Sequence, residues 1–153
     1  MMSQTLPTIA QVVPHAGAMR LLDTLLHADD DHAVAQAMAR EDSLFAGDGG
    51  IPAWVGIEFM AQTIAAWAGA RALRAGGAPA IGFLLGSRRY ESDVASFPFG
   101  AVLTMTARVE LIGDNGLGMF ACTLALDGRE VARANISVYQ PANPWAFLEG
   151  LPS

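Results

Sequence analysis

The rhythm of hydrophobic and polar positions changes several times along this chain, and each change marks an element. Residues 51–69 are apolar nearly all round, interrupted by one carboxylate, Glu58, and one amide, Gln62. A run this long predicts a helix, opened by Pro52 after an Asp48-Gly-Gly50 turn and stopped near Ala75 by Gly76-Gly77. Arg71 and Arg74 fall in its last turn, where they complement the helix dipole. Beyond it, residues 80–90, 102–112, 119–126 and 129–139 read as strands. The hairpin signals Asp114-Asn-Gly116 and Asp127-Gly128 predict that the last three pair antiparallel in sequence order. Ahead of the helix, residues 21–28 and 33–39 read as two strands joined by Asp29-Asp30-Asp31, with helix left open for the second. Residues 6–13 form a short helical or irregular lead-in ended by Pro14. Residues 140–153 form a proline-rich tail, with Trp145 and Phe147, that docks on the body.

Two strands, one long apolar helix and four more strands make an α+β pattern. A helix apolar all round belongs in the interior, and a strongly curved antiparallel sheet wrapped around it supplies the cover. That is the hot-dog fold, here in one domain spanning residues 1–153. Such sheets join edge to edge as dimers, which also deals with their exposed edges. Glu58 and Gln62, four residues apart, share one face of the helix. A lone carboxylate inside is costly unless it is paired, protonated or exposed to a cavity. The expectation is a cavity where the carboxyl group does chemistry; the alternative is a paired core carboxylate.

Composition narrows the choices. Of 153 residues, 52% are hydrophobic and 16% charged, which excludes disorder and points to surface hidden in an oligomer. A net charge of −6 argues against nucleic acid as a partner. All nine basic residues are arginine, so lysine chemistry such as a Schiff base or a P-loop is excluded. The single cysteine, Cys122, rules out an intrachain disulfide framework; its alternating strand position reads as a buried, inert thiol. The first residues lack a basic region followed by an apolar run, so the expected location is cytoplasmic. A membrane span over residues 53–70 would place Glu58 in the bilayer at about 3 kcal/mol, and that reading loses.

The motif Pro52-x5-Glu58-x-Met60-Ala61-Gln62 resembles the central-helix signature of hot-dog 3-hydroxyacyl-acyl-carrier-protein dehydratases, in which a catalytic acid is followed by Ala-Met-Ala-Gln. Pro14-His15 and Met19-Arg20-Leu21-Leu22-Asp23 resemble that family's N-terminal Pro-His and Leu-Leu-Val-Asp segment. Residues 82–89 and Phe97-Pro98-Phe99-Gly100 resemble its third strand and the following turn. The likeness spans roughly residues 12–140, and Pro-Ala-Trp-Val-Gly-Ile-Glu-Phe-Met-Ala-Gln is most similar to the dehydratase-like proteins of bacterial aryl-polyene clusters. One departure matters. The family carries a catalytic histidine in a Gly-His-Phe-Pro loop before the helix, where this chain has Phe45-Ala-Gly-Asp48-Gly-Gly50. Ungapped, Leu44 takes the histidine's position; with a short deletion, Asp48 does.

The resemblance implies elimination of water from a (3R)-hydroxyacyl thioester in fatty-acid-like or aryl-polyene biosynthesis. That reaction needs a base, an acid for the leaving hydroxyl, and donors for the developing enolate. Glu58 suits the acid, or a single acid/base serving both steps. His15 is the candidate for the missing imidazole, against a plain turn histidine after Pro14. Backbone N–H groups at Trp54, Val55 and Gly56 are candidates to hold the thioester oxygen, since helix N-termini present unpaired donors. Gly56 would allow close approach of substrate. Gln62 either orients the Glu58 carboxyl or makes a structural bond to backbone. Arg88 and Arg89 form a candidate patch for an acidic acyl carrier protein or its phosphopantetheine phosphate, against ordinary surface charge. Asp48 is expected as a turn residue, and His27 and His32 as solvated side chains beside an acidic turn. No cofactor and no metal are called for. Two rival functions stay open: a hot-dog acyl thioesterase using Glu58 or Asp48 to activate water, and a non-catalytic subunit paired with an active hot-dog dehydratase.

Overall fold

A computed structural model of the protein describes residues 6–13, 17–77, 83–113 and 115–139. The chain order is α1 (Ile9–Val12), a 3-10 turn (Gly17–Met19), β1 (Thr24–Ala28), β2 (His32–Met38), β3 (Gly50–Pro52), a second 3-10 turn (Ala53–Val55), α2 (Gly56–Arg74), β4 (Phe83–Ser92), β5 (Ser96–Pro98), β6 (Val102–Ile112), β7 (Leu117–Leu126) and β8 (Arg129–Tyr139). Six strands form one sheet in the order β1-β2-β6-β7-β8-β4, and β3 pairs with β5 in a small second sheet. Every pairing is antiparallel. This is the α+β hot-dog arrangement, with α2 packed on the inner face of the large sheet.

The alternation of side chains places that inner face. Leu103, Met105 and Ala107 of β6 are buried, as are Phe120, Cys122 and Leu124 of β7. In β2 the buried set is Ala33, Ala35 and Ala37, opposite Ala107, Met105 and Leu103. Three alanines in a row leave space that the helix fills with Phe59, Met60, Ile64 and Trp67, all buried. Each such side chain contributes about 1.5–3 kcal/mol relative to exposure. Cys122 lies 2% exposed in this core, and burial, with the charge of Glu110 adding to it, pushes its thiol pKa up to about 12. At Gly69 a side chain would run into the backbone of Val12, so the missing Cβ lets α1 rest directly on α2.

Two boundaries differ from the sequence expectation. Ile51 and Pro52 belong to a strand, not to the helix, because β3 pairs with β5 in the register Gly50↔Pro98, Ile51↔Phe97. Gly50 makes this possible: a Cβ there would strike the Phe97 carbonyl. The helix proper starts at Gly56 after the 3-10 turn. The turn expected at residues 97–100 is a three-residue strand followed by a tight turn at Gly100, whose φ is +88°. The tail expected to dock, residues 140–153, and the histidine at position 15 lie outside the described residues. Among the described residues, no helix is long and apolar enough to cross a membrane.

Candidate functional site

The first turns of α2 carry the polar pair singled out by spacing. Glu58 stands in the first turn of the helix, partly buried, and Gln62 is wholly buried one turn on. The Gln62 Nε2 donates to Glu58 Oε1 at 3.1 Å and to the Met19 carbonyl oxygen at 2.7 Å. Its Oε1 accepts from the Leu21 N–H at 2.8 Å. One amide therefore clamps the segment at residues 19–21, which leaves the first 3-10 turn, against the helix and holds the carboxyl group in a set orientation. Both amide protons of Gln62 are committed within the chain, one to the Met19 carbonyl and one to Glu58.

The helix opening is built from a second long-range contact. The Tyr90 hydroxyl of β4 donates to the Ala53 carbonyl oxygen, and it lies where a Cβ on Gly56 would be. The close approach expected at Gly56 is thus taken by Tyr90. Burial pushes the phenol's pKa up, against a hydrogen bond with Ser92, so the hydroxyl stays a donor. The Gly56 N–H donates to the Ala53 carbonyl, and the Ala53 N–H to Ala95 at 3.0 Å. Trp54 and Val55 sit in the 3-10 turn between them. The Val55 side chain is fully buried, whereas Trp54 is 64% exposed and meets Phe45 edge-on at 6.2 Å.

A cleft of about 300 Å³ opens beside this end of the helix, walled by Met38, Ile51 and Phe59 and carrying Arg20, Arg40 and Asp42. Arg40 is paired to Asp42 at 3.0 Å, which raises the guanidinium pKa and lowers that of the carboxyl. These arginines escaped the sequence reading because nothing local marks them; the fold brings residues 20, 40 and 59 together. Around the same end lie exposed Met19, Met38, Leu44 and Trp54. Leu44 and Asp48, the two positions that could replace the loop histidine, are both exposed. Arg89 pairs with Glu91 at 2.9 Å on β4, and the Arg88 side chain lies outside what the structure describes.

His27 and His32, expected to be solvated, are drawn together with Asp29. Their rings stack at 4.6 Å, and His27 Nε2 lies 2.7 Å from Asp29 Oδ2. The Asp29 carbonyl oxygen accepts from Trp67 Nε1 at 2.8 Å, which ties the hairpin tip to the far half of α2.

Comparison with known proteins gives these observations a context. Residues 7–149 match the family model of the ApeP-like proteins, described as ApeP dehydratase. A solved structure, the dehydratase heterocomplex ApeI:P from Xenorhabdus doucetiae, superposes over 94% of this chain and 96% of that chain, with 28% identity and a TM-score of 0.86. A hypothetical thioesterase from Streptococcus pneumoniae solved with coenzyme A covers 76% of this chain and 83% of its own, with 15% identity and a TM-score of 0.60. The E. coli PaaI protein of the phenylacetic acid degradation operon covers 75% and 80%, with 16% identity and a TM-score of 0.57. The last two share the fold alone. No curated protein matches the chain in sequence.

Proposed function

We propose, from the premise that this chain belongs to the ApeP-like dehydratase family, that it takes part in removing water from a (3R)-hydroxyacyl thioester carried on acyl carrier protein, in fatty-acid-like or aryl-polyene biosynthesis. The observation that carries this reading is the clamp that aims Glu58: a buried amide with three hydrogen bonds spends one of them on the carboxyl group. In the proposed reaction a base takes the proton alpha to the thioester carbonyl, the beta C–O bond breaks, and an acid protonates the departing hydroxyl as water. Glu58 is the acid, or the single group that serves both steps. The amides of the 3-10 turn at Trp54 and Val55 are the candidate donors for the enolate oxygen.

The base is the open part of the chemistry, and His15 is the candidate within this chain. It stands four residues before Met19, which the clamp holds beside Glu58, so the connecting chain is long enough for it to reach. The cleft, with an apolar wall at Ile51 and Phe59 and Arg20 beside it, suits a phosphopantetheine arm, whose methylene and gem-dimethyl carbons need apolar contact and whose amides and phosphate need polar partners. Arg88 and Arg89 are the wider patch for the carrier protein.

A second reading is favoured by two observations. The similar protein from Xenorhabdus doucetiae is a heterocomplex, and Met19, Met38, Leu44 and Trp54 leave large apolar side chains exposed near the site. In this reading the chain works as one subunit of a hot-dog pair, and the partner covers that surface and supplies the imidazole. One experiment separates the readings. A 3-hydroxyacyl-carrier-protein is incubated with the purified chain alone and with its co-expressed hot-dog partner, beside the Glu58→Gln and His15→Ala variants, and followed by mass spectrometry. Loss of one water with the chain alone, reduced at least about 100-fold by Glu58→Gln, supports the self-sufficient dehydratase. Water loss only with the partner supports the subunit. Release of free acid would overturn both in favour of a thioesterase.

A further inference from the structure

The β1–β2 hairpin gathers three side chains that the proposed chemistry does not use. His27 is the last residue but one of the first arm, Asp29 opens the turn, and His32 begins the other arm. Their donor atoms all lie within 4.8 Å of one another. His27 Nε2 is 2.7 Å from Asp29 Oδ2, and His32 Nδ1 is 3.2 Å from Asp29 Oδ1. That second oxygen already accepts from the backbone N–H groups of Asp31 at 2.8 Å and His32 at 2.9 Å. His32 Nδ1 is shielded from solvent and, despite the short approach, has no partner in hydrogen-bonding geometry. An imidazole lone pair facing a carboxylate is repulsive, so the arrangement calls for a positive centre between the groups: a proton on the ring, or a cation.

We propose that His27, Asp29 and His32 bind one divalent cation of the zinc class through His27 Nε2, Asp29 Oδ2 and His32 Nδ1, with water completing the shell. Two imidazoles and one carboxylate form a donor set suited to zinc, and three protein ligands leave a position for water. Donors held tetrahedrally at about 2.0–2.2 Å from zinc stand roughly 3.3–3.6 Å apart; here His27 Nε2 is 2.7 Å from Asp29 Oδ2 and the three donor atoms all lie within 4.8 Å of one another, so small side-chain shifts bring them to that spacing. The rings, stacked with 29° between their planes, must turn toward a common point, and His27, with its side chain 48% exposed, has room to do so. Asp31 adds negative field at the turn, while Asp30 is occupied by Arg74 at 3.3 Å.

The role that follows is structural. Trp67 holds the Asp29 carbonyl from α2, so a cation at this point would brace the edge strand β1 against the central helix. Trp67 lies nine residues past Glu58, about 14 Å along the helix, so the site is separate from the proposed chemistry and does not depend on it.

The test uses untagged, full-length protein stripped with a chelator. Zn²⁺ is titrated by calorimetry, Co²⁺ serves as a visible-absorption probe, and the imidazole resonances are followed by proton–nitrogen NMR. Expected are one saturable site, shifts confined to the His27 and His32 imidazoles, and affinity at least tenfold weaker in His27→Ala and in His32→Gln. The His27 variant leaves the backbone bonds of the turn intact, and the NMR experiment on the unaltered chain needs no variant at all. Absence of saturable binding, unchanged binding in the double variant, or imidazole signals that answer to pH but not to Zn²⁺ would each overturn the proposal. The last outcome would make a proton the positive centre.

Discussion

Two buried polar side chains of the central helix, Gln62 near its start and Trp67 further along, grip the rest of the chain, and they grip differently. Gln62 is fully buried and engages Met19, Leu21 and Glu58 at once. Trp67 makes one hydrogen bond, to the Asp29 carbonyl, and otherwise holds by contact: edge-on to Phe120 at 5.3 Å and beneath the Arg71 guanidinium at 5.2 Å. An amide with every proton committed fixes the direction of its neighbours. An indole with one bond and a large apolar surface tethers them and leaves the hairpin tip free to adjust. Geometry is dictated where the carboxyl group must be aimed, and adhesion suffices where a loop must only be held.

The sharpest way to break this contrast is to remove the amide. Gln62→Leu keeps the volume but strands the Met19 carbonyl and the Leu21 N–H, so the fold should lose about 2–4 kcal/mol. Urea denaturation measures it. The dehydration rate should also fall, because Glu58 loses the donor that orients it. A loss below about 1 kcal/mol would mean that the clamp contributes little and that residues 19–21 are held by other contacts.

Next in size comes the helix opening. Gly56→Ala places a methyl group on the Tyr90 hydroxyl and should cost about 1–3 kcal/mol through overpacking. Tyr90→Phe deletes the atom that it strikes. The double variant should therefore be more stable than the sum of the two single losses, by at least about 0.5 kcal/mol in a double-mutant cycle. Simple additivity would show that Gly56 and Tyr90 do not constrain each other. At the other grip, Trp67→Phe removes one hydrogen bond and part of an apolar surface, for about 1–2 kcal/mol. Amide exchange should rise in residues 28–33, with little change near Glu58. If exchange near Glu58 rose equally, the two ends of the helix would not be independent.

Much of the architecture was legible along the chain. Strands β6 and β8 match the expected ranges at both ends, helped by a hairpin signal just after β6 and another just before β8. The helix was legible from its apolar run, and Glu58 and Gln62 from a spacing of four, which is local geometry. What escaped depends on distance in sequence. β3 and β5 have three residues each, too few to show a period. The partners of Gln62 lie 41 and 43 residues upstream, and Ala53 and Tyr90 are 37 apart. The gathering of His27, Asp29 and His32 needs a turn tight enough for the Asp29 side chain to cap it. Composition shows three acids there and two histidines beside them, but not that one carboxylate reaches both rings.

The smallest effect concerns that carboxylate and sets the acid limit of the looser grip. The hydrogen bond from His27 and the backbone N–H of His32 lower the Asp29 pKa, opposed by some desolvation, and the Asp31 N–H and the charge of His32 lower it further. A carboxyl group whose pKa is depressed by folding stabilises the folded chain above its unfolded value, near 4, and that contribution is lost as pH falls through the folded value. Asp29→Asn has the same shape, and its amide oxygen can still accept the turn's backbone bonds, so it removes the titration and leaves the loop. The stability difference between the two proteins should be largest above about pH 5, shrink below about 4, and approach zero in stronger acid. Denaturant midpoints at intervals of pH would read it. Because the group is well exposed, solvent screens the interaction and the gap should be small throughout. Parallel curves with no convergence in acid would mean that His27 and His32 hold an aspartate and an asparagine equally well, and that the hairpin tip owes nothing to its charge.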